Sequence, residues 1–446
     1  MILLINPKTT KPTEFQSEYF REPSLGILYL AAVLDQNNIN VDILDLEQFL
    51  DLKGTKLEEL IIEKIQNYKI IGITSLTNTF NLTLKIANII KKYDDRKYVI
   101  LGGPHVSFLY EEILQSQNII DFICIGESEN SFLRLVEILR TIINTNKKLL
   151  NYESYLQKIK GLAFINSESK LIFTGSPKPV DIETIPLPAR YKLEHIQHYY
   201  RVANVIINRG CPFQCSFCSR QNLFKKVRIR SISSILSEIR DIISFQNYNY
   251  INFYDNINID KDFFKNFCNM FIKNNISIPW GCELRVDNLT EEEARLLKTA
   301  GCKLIATGIE SASIEVLKKN FKYQNPKEVI EGITNLKKYQ IPIQAYFVLG
   351  LPGETEKTFF KTINFIKRLP FDKNDTINYF VATPYPGSRL WEDQQIFNIN
   401  IIENDFTKYD CQHVIFETED LDLNTLQKLL KTAKEIEKYN LKASNY

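Results

Sequence analysis

Two successive alternations of short β-branched runs with amphipathic stretches constrain this chain most. In the first, strands are expected at Ile2–Ile5, Val41–Leu44, Ile70–Thr74, Tyr98–Leu101 and Phe122–Ile125. Helical patterns separate or follow them at Leu25–Leu34, Leu57–Ile65, Leu82–Ile90, Phe108–Leu114 and Phe132–Ile143. Alternation at this spacing predicts a doubly wound, Rossmann-like parallel sheet over residues 1–145, with its ligand crevice beyond the strand carboxyl ends. Residues 146–200 read as a connector. It holds a hairpin (Leu162–Phe164 with Leu171–Phe173) and the extended Pro-rich link Ile185-Pro186-Leu187-Pro188. A second alternation runs over 201–392, with strands at Val205–Ile207, Tyr250–Tyr254, Ile278–Cys282, Lys303–Thr307, Ile343–Val348 and Ile377–Val381. Six strand–helix units predict a partial (β/α)6 barrel of the TIM type, whose chemistry sits at the strand carboxyl ends. Residues 393–446 read as a short, charged, helical C-terminal tail. The fold class is therefore α/β, in at least two domains, since 446 residues exceed one ordinary core.

The first strand of the second alternation runs into Arg209-Gly210-Cys211-Pro212-Phe213-Gln214-Cys215-Ser216-Phe217-Cys218. Three thiolates spaced C-x3-C-x2-C can reach three corners of a cubic iron–sulfur cluster from one loop. No fourth cysteine follows at a matching interval, so one iron keeps an open position. A structural zinc site is the competing reading, but it pairs C-x2-4-C with a second ligand pair, and none is present. The other five cysteines (Cys124, Cys268, Cys282, Cys302, Cys411) have no ligand spacing and read as buried structural thiols.

Composition narrows the function classes. Lysine plus arginine (55) against aspartate plus glutamate (53) gives +2, which offers no global attraction to nucleic acid or anionic membrane. The basic run Lys225-Lys226-Val227-Arg228-Ile229-Arg230 reads as a solvated stretch before a helix. The longest apolar run, Leu25–Leu34, is far below a membrane span. Unpaired cysteines behind a start with no basic n-region point to a reducing cytoplasm.

The cysteine loop, with Phe217 just before its last cysteine, resembles the signature of the radical S-adenosylmethionine (SAM) enzymes. The resemblance implies that Cys211, Cys215 and Cys218 ligate a [4Fe-4S] cluster whose open iron chelates SAM. One electron from a flavodoxin- or ferredoxin-type donor then yields a 5′-deoxyadenosyl radical. It also implies SAM contacts at the strand ends: Phe217 in the loop, Asp255 after the second barrel strand, and Glu283 and Arg285 after the third. Thr307-Gly308-Ile309-Glu310-Ser311 resembles the family's G-[IL]-E-S element and offers Glu310. Leu349-Gly350-Leu351-Pro352-Gly353-Glu354 resembles its G-x-x-G-E element and offers Gly350, Gly353 and Glu354. For Asp255, an Asx turn opening the next helix is an equal reading; for Glu283 and Arg285, a surface ion pair is.

Residues 1–145 resemble the cobalamin-binding domain of one branch of that family. Thr74-Ser75-Leu76 and Gly102-Gly103 resemble two of its three elements, and Gly126-Glu127 echoes the family's G-E element, with an ordinary helix N-terminus capped by Ser128 as the alternative. The D-x-H-x-x-G element is missing, since Asn6-Pro7-Lys8-Thr9-Thr10 stands there. That loop therefore offers Asn6 and Pro7 to the corrin but no cobalt-ligating histidine, and His105 is the one histidine near the crevice. Cobalamin beside a radical generator implies methylation of an unactivated carbon in a small-molecule or peptide substrate. Rival outcomes are radical cyclisation, ring contraction or oxidation with the same cofactors, a methylthiotransferase acting on RNA or protein, and a non-catalytic iron–sulfur electron carrier. The methylthiotransferase would need a second cysteine cluster near the N-terminus, where Cys124 stands alone.

Overall fold

The computed structural model describes residues 1–9, 22–245 and 247–443. They form two units, Met1–Tyr199 with Asn222–Lys226, and Tyr200–Gln221 with Val227–Tyr446.

The first unit is built on a seven-stranded sheet in the order β2-β1-β3-β4-β5-β6-β7. Its strands are β1 (Ile2–Asn6), β2 (Val41–Asp45), β3 (Ile70–Thr74), β4 (Tyr98–Gly102), β5 (Phe122–Cys124), β6 (Leu162–Ile165) and β7 (Leu171–Phe173). The first five are parallel and Ile-, Val- and Leu-rich, as strands covered on both faces must be. The strand order reverses between β1 and β3, which places a ligand crevice beyond their carboxyl ends. The hairpin expected in the connector is instead part of this sheet: β6 pairs antiparallel with β5, Ile123 opposite Ala163. The helix expected over Phe108–Leu114 is two short helices, Pro104–Phe108 and Tyr110–Ser116, broken at Leu109.

The second unit holds six parallel strands in chain order, β8 (Val202–Val205), β11 (Tyr250–Asn256), β12 (Trp280–Glu283), β13 (Cys302–Glu310), β14 (Ile343–Leu349) and β15 (Thr376–Val381). Helices follow β11 to β14, which is barrel architecture without closure. The core between strands and outer helices is aromatic: Phe253, Phe267, Phe271 and Trp280 are fully buried, and the Phe271 ring stacks on Trp280 at 4.8 Å. Each such side chain contributes roughly 1.5–3 kcal/mol of burial.

Strand one of the barrel ends earlier than its Val205–Ile207 pattern predicts. After Val205 the chain leaves the sheet and makes a short antiparallel ladder, β9 (Asn208–Arg209) with β10 (Arg228–Ile229). The physical reason is Asp255, whose carboxylate takes the amides of Ile207 (2.5 Å) and Asn208 (2.9 Å) in place of a neighbouring strand. The tail is not purely helical. It contributes the antiparallel pair β16 (Ile399–Ile401) and β17 (Phe416–Thr418) before the helix Leu423–Ala443. That helix lies on β15, the open side of the barrel, where Glu437 accepts the amide of Tyr379 and Lys434 donates to its carbonyl (2.9 Å). Among the described residues, no helix is long and apolar enough to cross a membrane.

Candidate functional site

In the second unit, the three cysteines lie between β9 and the helix Arg220–Leu223, at the strand carboxyl ends, and line one cavity of about 290 Å³. Buried hydrogen bonds pin the loop at its middle. Ser216 is fully buried, donates its amide to the Asn320 carbonyl (3.0 Å) and its hydroxyl to Asn320 Oδ1 (2.7 Å), and accepts from the Leu390 amide (3.0 Å). Asn320 in turn donates to the Pro352 carbonyl (2.9 Å), so one carboxamide joins the loops after β8, β13 and β14. Burial pushes the Cys215 thiol up to about 11, against the pull of the nearby Lys322 ammonium, and raises Cys218 as well. Such thiols become anionic ligands when metal replaces the proton. Among the described residues, no three ligating groups close on a single ion.

The structure sorts the expected SAM contacts into two groups. Phe217, Glu283, Arg285 and Glu310 line the cysteine cavity. Arg285 does so with its charge already engaged, paired to Asp287 at 2.6 Å and stacked on Phe213 at 4.4 Å. Glu310 adopts a left-handed φ of 62° at a register shift in β13, a strained conformation for a non-glycine residue. It is held there by Lys322, whose Nζ meets Glu310 Oε1 and the Gly308 carbonyl, each at 3.0 Å. Burial alone would lower the Lys322 pKa, but the Glu310 and Cys215 charges raise it. Glu310 thus has an internal lysine as its cation.

Asp255 and the Gly350–Glu354 segment, expected to contact SAM, do not line this cavity. Asp255, 1% exposed, turns inward to the amides of Ile207 and Asn208 and to Arg220, while its neighbour Asn256 faces the cavity. Glu354 is also 1% exposed, closes its own loop by accepting the Gly350 amide (2.6 Å), and is raised by burial to about 8. The glycines there answer to local geometry. Both have positive φ, and a Cβ on Gly353 would stand 2.7 Å from Lys319 Cδ.

Sequence reading missed Ser216, Arg220, Asn256, Asn320 and Lys322. Arg220 and Asn256 adjoin flagged residues; Asn320 and Lys322 sit in a lysine-rich loop with no local signal. Of the remaining cysteines, Cys268, Cys282 and Cys302 gather in the barrel core, with Cys282 hydrogen-bonded to Cys302.

In the first unit, the carboxyl ends of β1, β3, β4 and β5 present the other predicted residues. Asn6 is tied to Asp45 (2.9 Å) and Pro7 is buried. Thr74 is half-buried, Ser75 is fully buried with its amide on the Gly102 carbonyl (2.8 Å), and Leu76 is 46% exposed. Gly103 has φ +104°, and a Cβ there would stand 2.6 Å from the Ser75 carbonyl oxygen. Gly102 is different: a Cβ would meet only the Cys124 carbonyl, at 3.9 Å, so the surface above it is open to a ligand. Gly126 has a positive φ and donates to Ser107 Oγ (2.9 Å); Glu127 is 8% exposed. The open surface above Gly102, with Thr74 and the exposed Leu76, fits a corrin and its tail.

His105 does not fit the role of cobalt ligand. It is 1% exposed, with Nδ1 3.3 Å from Thr77 Oγ1 and its ring 4.3 Å from Phe80, and burial lowers its pKa to about 3. Its imidazole belongs to the packing beneath the crevice.

Comparison with known proteins agrees with this geometry. The model of the Radical SAM superfamily matches residues 205–366, and that of the B12 binding domain matches residues 17–136. An uncharacterized methyltransferase of Pyrococcus horikoshii is 29% identical over 427 residues, covering 92% of this chain and 86% of the relative. The anaerobic magnesium-protoporphyrin IX monomethyl ester cyclase of Rubrivivax gelatinosus is 27% identical over 420 residues, covering 91% of this chain and 71% of that one. The fold is shared with the radical SAM methyltransferase TsrM of Kitasatospora setae, solved with cobalamin and a [4Fe-4S] cluster (TM-score 0.75, 15% identity, 97% of this chain and 90% of that one). A cysteine cavity at a barrel mouth and a glycine-lined crevice on a separate parallel sheet are thus the two halves of one enzyme type, and the chain belongs to the radical SAM enzymes that carry a B12-binding domain.

Proposed function

We propose that this enzyme transfers a methyl group to an unactivated carbon of a small-molecule or peptide substrate, using a [4Fe-4S] cluster, SAM and cobalamin. The observation that carries this reading is the presence in one chain of both the three-thiol cavity and the crevice open above Gly102. An enzyme that needed only to abstract hydrogen would have no use for a corrin, whereas methylating an sp3 carbon needs a radical generator and a separate methyl source. When bound, the cluster and SAM supply the radical, and the corrin supplies the methyl group.

The chain's own residues bind and position. Cys211, Cys215 and Cys218 would hold the cluster, with SAM bound beside it in the same cavity. Glu283 and the Glu310–Lys322 pair present fixed charge to a zwitterionic ligand in the cavity, and Phe217 gives it an apolar wall. Arg285, held by Asp287 and Phe213, also lines a neighbouring open cavity of about 970 Å³. No acid–base residue is required, so positioning and water exclusion are the protein's contribution. The electron comes from a flavodoxin- or ferredoxin-class donor.

The Rubrivivax gelatinosus relative supports a second reading, radical ring closure with the same cofactors. SAM carrying a deuterated methyl group separates the two. Methyl transfer predicts about two SAM consumed per product, one as 5′-deoxyadenosine and one as S-adenosylhomocysteine, with the whole label in the product. Product formed with 5′-deoxyadenosine but without S-adenosylhomocysteine or label would reject methyl transfer in favour of cyclisation or oxidation.

A further inference from the structure

The cysteine loop is bracketed by a charge pair that the reading above leaves without a role. Arg220 stands two residues past Cys218. Its Nη2 forms an ion pair with Asp255 Oδ1 and donates to the carbonyl (2.9 Å) and side-chain oxygen (3.1 Å) of Asn208, three residues before Cys211. Asp255 Oδ2 holds the amides of Ile207 and Asn208. One guanidinium nitrogen and one carboxylate thus fasten both ends of the loop.

The pair also has a direction. Arg220 lines the cysteine cavity and Asp255 does not, so the cation faces the thiols and the anion is turned to backbone behind it. Two other cations line the cavity: Lys322, whose counter-charge Glu310 lines it too, and Arg285, which is paired to Asp287 and stacked on the Phe213 ring. Of these cations Arg220 is the one anchored in the cysteine loop itself, two residues past Cys218, with its counter-charge on the side away from the cavity. A cubic cluster on three thiolates gains negative charge when it takes an electron, and a fixed cation beside it favours that reduced state.

We propose that Arg220 sets the reduction potential of the iron–sulfur cluster, raising it toward the range of a soluble electron donor, with Asp255 and Asn208 as its positioning residues. This rests on the cluster reading given above.

The test is a redox titration, followed by electron paramagnetic resonance, of full-length protein reconstituted anaerobically without SAM, with iron and sulfide counted in each sample. Arg220→Gln should keep its iron but show a three- to tenfold lower ratio of reduced to oxidised cluster at a fixed potential; tenfold is 59 mV for a one-electron couple. Arg220→Lys should lie nearer the wild type. Asp255→Asn keeps the arginine and removes its counter-charge, so the ratio should move the opposite way, which a merely structural clamp would not produce. A full cluster in Arg220→Gln at unchanged potential overturns the proposal. Should Arg220→Gln lose its cluster, Asp255→Asn decides: a more positive potential supports the assignment, and an equal or lower one overturns it. Loss of the cluster in both variants, with the fold intact by circular dichroism, overturns it in favour of a structural clamp. A wild type that takes up no iron fails the cluster reading itself, and this proposal with it.

Discussion

Glu354 shows how a residue can match a family pattern and still act inward. Its carboxyl is buried beside the Gly350 amide, and burial raises its pKa from 4.5 to about 8. In the unfolded chain it titrates near the ordinary value. Below about pH 4.5 both states hold the proton and the group is neutral in both. Between pH 4.5 and 8 the unfolded state gives up its proton while the folded state keeps it, so the contribution to stability falls as pH rises and is lost above pH 8. Glu354→Gln removes this slope. Denaturant midpoints at pH 5 and pH 8 should show the variant gaining on the wild type as pH rises, and a difference that does not change with pH would refute the assignment. The same residue marks what sequence can reveal at this scale. Gly350, Gly353 and Glu354 were visible as a motif, but that the carboxylate turns back onto its own loop depends on contacts that no spacing records.

At the level of elements, the open side of the barrel is the part most exposed to misassembly. An edge strand presents unpaired amides to any partner, and β15 is covered instead by the helix Leu423–Ala443. The contact is specific: the Glu437 carboxylate, 2% exposed, takes the Tyr379 amide and pairs with Lys434. Glu437→Ala leaves a buried amide without an acceptor and should cost about 1–3 kcal/mol in denaturant unfolding, with a rise in aggregation. A loss within 0.5 kcal/mol would mean that the helix is held by its apolar face alone. Strand and helix periodicities were legible for nearly all of these elements, because burial on two faces or one stripe writes itself into the pattern. The tail's helix was legible for the same reason. Its partner was not, since the pattern of an amphipathic helix says that it buries a face and not which strand it covers.

For the whole molecule, the two units supply separable functions, and this can be tested at Gly102. A Cβ there meets nothing in the protein closer than 3.9 Å, so Gly102→Ala should leave stability within about 1 kcal/mol. It should weaken cobalamin binding, read from the optical titration with hydroxocobalamin, while iron content and reductive SAM cleavage persist. Unchanged cobalamin affinity would place the corrin elsewhere. Both halves were visible in the sequence, one through three cysteines and the other through two glycines and a hydroxyl pair. What escaped was the set of residues that hold those motifs in place. Asn320, Lys322 and Arg220 act through single hydrogen bonds and ion pairs to partners 12 to 104 residues away, and they leave no periodic trace.

The cover over β15 also has a consequence for how the chain is made. Tyr379 leaves the ribosome 58 residues before Glu437, the group that receives its amide. During that interval the nascent barrel has all six strands and the complete cysteine loop, but one flank is bare. Synthesis therefore passes through a stage in which the iron-binding loop exists before the barrel's edge is sealed, and a chaperone or a pause in translation would have its effect there.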